Sequence, residues 1–166
     1  MRLFLLLLAT LIGAIACAPV VSTQSMGLVD PSISFELVLQ DPDRYSGSYL
    51  LVGGAVAVVR VSESGGSEME VVQLSTDKRG RITSADRSAG RFIAIDQTFR
   101  DPAIYYSGRQ VTLVGQVVGS QVGQLAGKEY LYPVLTIHEL RLWAPEEYPG
   151  SSPVRFGIGI GIGVFR

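Results

Sequence analysis

Apolar positions along the chain fall into three regimes. Leu3 to Ile12 is a continuous apolar run broken only by Thr10. It is shorter than the roughly 20 residues a bilayer-spanning helix needs, and it has the length of a signal h-region. From Pro19 to about Pro31 the residues are small and polar without sustained periodicity, which reads as a tether. Beyond that point, short Val-, Ile- and Leu-rich segments are separated by Gly, Pro and charged positions, the pattern of strands joined by tight turns. Five strands are predicted, at Tyr49–Val61, Glu68–Leu74, Arg91–Thr98, Gln110–Val118 and Leu131–Leu142. In the second of these, Met69, Val71 and Gln73 oppose Glu68 and Glu70.

The chain also repeats itself. Asp41-Pro42-Asp43-Arg44-Tyr45-Ser46-Gly47, followed by Leu50, Gly54 and Val56, recurs as Asp101-Pro102-Ala103-Ile104-Tyr105-Tyr106-Ser107-Gly108, followed by Val111, Gly115 and Val117. Asp is a good helix N-cap, Pro suits the first helical position, and Gly suits the left-handed residue after a last turn. Each copy is therefore expected to be a one-turn helix leading into a strand. Gly54 and Gly115 interrupt those strands where a bulge or bend would curl a sheet. The fold class expected is all-β: a small OB-like barrel of five to six strands with an internal duplication and short one-turn helices. A duplicated hairpin within a generic sandwich is the alternative. The domain is expected over 32–145, after a signal over 1–16 and a tether over 17–31, with a Pro/Gly-rich tail over 146–166.

Composition narrows the function classes. An apolar fraction of 47% with 17% charge excludes a disordered chain, and a net charge of −1 gives no global attraction to nucleic acid. Cys17 is the sole cysteine, so no internal disulfide can form. It follows the small residues Gly13, Ala14, Ile15 and Ala16, and this Ala-Ile-Ala-Cys resembles a lipobox, with Ala14 where bacterial lipoproteins more often carry Leu. Such a Cys is lipidated on its thiol and becomes the first residue after cleavage. Two or three acyl chains then hold a protein on a membrane essentially permanently. Ala18 after the Cys leans toward the outer membrane.

Several ordered motifs carry a family likeness. Gly90-Arg91-Phe92-Ile93-Ala94, Asp101-Pro102 with Tyr105, Gly108-Arg109-x-Val111-Thr112-x-Val114-Gly115-x-Val117-x-Gly119, Tyr132-Pro133-Val134 and Leu142-Trp143 resemble the Slp family of outer-membrane lipoproteins. The likeness spans roughly 33–143. It implies an outer-membrane lipoprotein facing the periplasm, with a role in envelope maintenance, no enzymatic activity and no catalytic residues to carry over.

Candidate sites are few. His138 is the only histidine, expected on one strand face with Val134, Leu140 and Leu142, and no Ser/His/Asp pattern accompanies it. One His and one lipidated Cys do not make a tetrahedral zinc site. Asp41, Asp43 and Asp101 fit capping better than calcium ligation. Gly53-Gly54 and Ser64-Gly65-Gly66-Ser67 read as turn or bend chemistry. The one charge asymmetry runs from Lys78 to Arg91, where Lys78, Arg79, Arg81, Arg87 and Arg91 face Asp86 alone. This segment is a solvated loop or a contact for an anionic surface, be it head groups, acidic polymer or a partner protein. The alternating tail Gly157 to Phe165 is an extension, an added strand or an interfacial segment.

The expected role is structural or interactive: a lipid-anchored barrel that contacts another envelope protein or an anionic polymer, without cofactor, metal or nucleic acid. An OB-like binding module for a small or polymeric ligand is the alternative.

Overall fold

The computed structural model describes residues 20–63 and 65–145. The signal, Cys17 and the Gly-Ile tail lie outside the described residues. Two short helices, α1 (Thr23–Met26) and α2 (Phe35–Gln40), precede a 3-10 turn at Asp43–Tyr45 and six strands: β1 (Tyr49–Val61), β2 (Ser67–Thr76), β3 (Ile82–Ser84), β4 (Arg91–Asp96), β5 (Gln110–Leu125) and β6 (Lys128–Leu142).

Closure follows from β1, which is shared by both ends of the sheet. Residues 49–55 pair with β5 and residues 53–61 with β2, so the order β1-β5-β6-β4-β2 returns to β1. Only β4 and β6 run parallel, and β3 hangs on the edge of β2. This is the OB-like barrel, in which each of the five main strands pairs with two neighbours around the closed part. Its interior is packed, with Val52, Met69, Val71, Phe92, Leu113 and Leu135 all within 2% of complete burial. From α2, Phe35 and Val38 join this core, Phe35 stacking against Phe92 at a ring separation of 5.6 Å.

The duplication becomes a local two-fold. Val52 pairs with Leu113, its own counterpart 61 residues on, and the β1–β5 register is symmetric about that pair. The two turns dock reciprocally. Gly47 donates its N–H to Val117 O and Gly108 donates to Val56 O, both at 2.8 Å, while Val117 N–H reaches Ser48 O and Val56 N–H reaches Arg109 O. Gly47 and Gly108 adopt φ of 88° and 90°, the left-handed turn end that glycine favours. The bulges match too, since Ala57 in β1 and Val118 in β5 are each skipped by the partner strand. Gly54 has a different role from a bulge. A Cβ there would strike Val71 and lie 2.5 Å from Val72 O, so its lack of side chain lets β2 close on β1.

The expected one-turn helices are realised differently. In the first copy Asp41 accepts the Arg44 N–H ahead of a 3-10 turn; in the second, Ile104 and Tyr105 both donate to Asp101 O and no helix is completed. β4 stops at Asp96 rather than Thr98, because the Asp96 carboxylate takes the Thr98 N–H and turns the chain. The largest departure is the β5–β6 hairpin, which runs through Leu125 and back from Lys128, well past the expected ends at Val118 and Leu131. Ala126 and Gly127 close it with φ of 52° and 77°, as a primed turn requires.

Candidate functional site

Residues 20–31, expected as part of a free tether, lie against the barrel as an N-terminal arm. Val21 and Ser25 are buried, and Val29 bridges to Tyr49. The clamp is Glu139 on β6: it accepts the Ser22 N–H (2.9 Å), the Ser22 hydroxyl (2.6 Å) and the Ser25 hydroxyl. Ser22 also N-caps α1 by accepting the Ser25 N–H. Burial pushes the Glu139 carboxyl up, but these hydrogen bonds and the neighbouring His138 outweigh it and hold it below the ordinary glutamate range. At its root the arm is pinned again, where Val20 donates its N–H to Arg79 O at 3.1 Å.

Arg79 belongs to the β2–β3 turn, which is firmly built. Asp77 accepts the N–H groups of Arg79 (2.8 Å) and Arg81 (2.9 Å), so its carboxylate orders the loop. Gly80 O accepts the hydroxyl of the fully buried Thr112 at 2.7 Å, and Thr112 in turn accepts the Trp143 indole N–H at 3.0 Å. The side chains of Lys78, Arg79 and Arg81 stand exposed on this rigid base.

The five basic residues expected to act together are therefore divided. Arg87 is exposed on the separate loop after β3. Arg91 is occupied: its guanidinium pairs with Glu70 at 2.6 Å, and its backbone N–H donates to the Tyr130 hydroxyl at 2.9 Å. Glu70, expected on the polar face of its strand, is buried at 9% exposure because Arg91 and Tyr132 cover it. Burial beside that carboxylate pushes the Tyr132 hydroxyl above its ordinary range. A second ion pair, Arg100 with Asp96 at 2.7 Å, extends to the Tyr105 hydroxyl and fixes the loop after β4.

His138 does not share the face of Leu140 and Leu142. It is the extra residue of a bulge, between Glu139 opposite Val114 and Ile137 opposite Gly115, so the alternation shifts by one and the ring is exposed. It meets the Tyr49 ring edge-on at 5.8 Å.

Between the arm and the barrel lies an open groove of about 730 Å³. Met26, Val29, Ile33, Phe35 and Leu50 line it, with Glu36, Asp77 and Lys78 among its polar groups. Sequence reasoning missed it because it needs the arm in place, and the arm's anchors are 117 and 114 residues away in sequence. Also missed were the apolar residues on the hairpin beyond the barrel. Val122 and Leu131 pair directly across it and are both exposed, with Val118 nearby.

An uncharacterized lipoprotein YeaY of Escherichia coli (strain K12) is 28% identical over 106 residues, covering 64% of this chain and 54% of that protein. The chain thus spans about half the length of this curated relative. Among solved structures, a mitochondrial single-stranded DNA binding protein of S. cerevisiae, Rim1, is similar at 11% identity and a TM-score of 0.35, over 59% of this chain and 94% of that one. A small single-stranded DNA-binding protein from Streptomyces coelicolor is similar at 14% identity and a TM-score of 0.37, over 58% and 94%. The model of the outer membrane lipoprotein Slp family matches residues 15–158, and the chain belongs to that family.

Proposed function

We propose that this outer-membrane lipoprotein is anchored through Cys17, faces the periplasm, and holds another envelope component against a rigid barrel. The observation that supports an interaction role is the projecting hairpin. Its inner side packs Tyr130 and Tyr132 near Ile93, while Val122 and Leu131 remain paired and exposed on it. Exposed apolar pairs on an ordered extension suit protein contact. A photocrosslinker placed at Val122 or Leu131 in intact cells should give a discrete adduct. The same probe at Arg60 in β1, whose side chain is 56% exposed, should not. Absence of an adduct from both hairpin positions would remove the reading. Anchoring has its own test: Cys17→Ser should make the protein extractable from membranes by high salt, and membrane association that survives a high-salt wash would exclude Cys17 as the anchor.

The groove favours a second reading, an OB-like module binding a small or polymeric envelope ligand. Its volume lies within the range of about 300–1,000 Å³ typical of ligand sites and its lining is mixed in the manner of such sites. A net charge of −1 supplies no general attraction to a polyanion, which speaks against a nucleic-acid partner. The protein should accordingly leave the fluorescence anisotropy of labelled single-stranded DNA unchanged. Family members are not known as enzymes, and the exposed, bulged His138 beside an aromatic ring offers no base-and-nucleophile pair.

A further inference from the structure

We infer that the β2–β3 turn is a second, electrostatic membrane contact: Lys78, Arg79 and Arg81 lie on anionic lipid head groups and seat the barrel with that end toward the bilayer. The inference rests on the proposed Cys17 anchor and adds an orientation to it. The arm joins the barrel at this turn, through the Val20 N–H to Arg79 O bond. Cys17 is three residues before Val20. Three residues of chain reach at most about 11 Å, so an acyl anchor on Cys17 brings the turn to within about a Debye length of the head groups.

The chemistry of the turn fits that place. Among the described residues none of the three basic side chains has an ion pair, whereas Arg60, Arg91 and Arg100 each have one. Asp77, the carboxylate within the turn, accepts backbone N–H groups and leaves three cations outward. Rigidity matters as much as charge. Thr112, Gly80 and the Asp77 bonds hold the turn in one geometry, so little side-chain-bearing backbone must be ordered on contact. An anchor of one lipidated residue on a loose leash would leave orientation free; one that enters at a basic turn fixes it.

The test uses the mature chain carrying Cys17→Ser, so that acyl insertion does not mask the head-group contact. Co-sedimentation is measured with vesicles of phosphatidylcholine alone and with one part in three phosphatidylglycerol. Binding is expected on the anionic vesicles only, and it should fall steeply with added salt. Replacing Lys78, Arg79 and Arg81 together by Ala should weaken it about a hundredfold, at the scale of three basic residues near a charged surface. Replacing Arg87 should change it little. These side chains are exposed and the turn is held by backbone groups and Asp77, so circular dichroism should show the triple variant folded. Equal binding by the triple variant and the parent chain, or equal binding to both vesicle types, would overturn the inference. So would binding to soluble polyglutamate without binding to vesicles, which would assign the turn to an acidic polymer. Failure of the anchor itself reads differently, as a wild-type chain that a high-salt wash strips from membranes.

Discussion

The two copies of the repeat agree in the core and part company at the surface. Leu50, Val52 and Val56 in β1 are buried as are Val111, Leu113 and Val117 in β5, and the turn glycines of each copy dock on the other's strand. Outside the core the copies share little. The first ends in the short β2–β3 turn with its exposed cations; the second grows into the long β5–β6 hairpin and carries Glu139, the clamp for the arm. Tyr45 of the first copy packs half-buried, while Tyr105 of the second is buried and held by Arg100. Symmetry therefore marks the scaffold. Its breaks mark the arm, the turn and the hairpin, which are the features a function could use.

Core substitutions should test the symmetric part most severely. Leu113→Ala, at the two-fold and fully buried, should cost about 3–4 kcal/mol in denaturant unfolding, and Val52→Ala across from it somewhat less. The equivalent glycines should then separate the copies. Gly54→Ala drives a Cβ against Val72 O, a backbone atom that cannot yield, and should cost about 3 kcal/mol. At Gly115 the nearest neighbours are the side chains of Leu113 and Leu135 at 3.0 to 3.3 Å, so Gly115→Ala should cost only about 1 kcal/mol. Equal costs would mean that closure of β2 on β1 is not what requires Gly54.

Next in size is the Asp96 network, which the first copy lacks. Arg100→Ala leaves a largely buried carboxylate unpaired and should destabilise by about 2 kcal/mol. The mutation should raise hydrogen exchange in the loop after β4 more than in the first copy's turn. Smallest is the arm clamp. Glu139→Gln should loosen residues 20–27 at a cost of about 1 kcal/mol, leaving barrel unfolding nearly unchanged. Acid should do the same. Because the Glu139 carboxyl is held below its ordinary range, the docked arm is stabilised at and above that range and loses this support as pH falls through the lowered value. Arm exchange should thus rise in acid before the barrel opens.

The sequence made the barrel legible where local pattern and tertiary need coincide. β1 is legible over its full span, because apolar residues, strand Gly and the repeat all point to one element. Five strands, the bent ones opening each half of the repeat, and little helix point to an OB-like barrel, while the strand order that closes it is visible only in the fold. What was not legible depends on partners far away. Gly119-Ser120-Gln121-Val122-Gly123-Gln124 has the composition of a loop, and it is a strand only because β6 pairs with it residue by residue. β3 is three residues long and exists as an appendage of β2. The docking of the arm depends on Ser22 and Ser25 meeting Glu139, and nothing near any of the three announces the meeting. Likewise, the basic residues looked like one group along the chain. The fold assigns Arg91 to Glu70, sends Arg87 elsewhere, and leaves Lys78, Arg79 and Arg81 beside the arm's root.

The central claim is that the arm is part of the folded body, so that anchor and basic turn belong to one end of the molecule. Amide hydrogen exchange on the full mature chain tests it directly, at Val20, whose N–H meets Arg79 O, and at Ser22, whose N–H meets Glu139. Protection of both amides by tenfold or more over unstructured rates, lost at Ser22 in Glu139→Gln, is the predicted result. Exchange of both at the rate of a free peptide at neutral pH would contradict it and restore the leash.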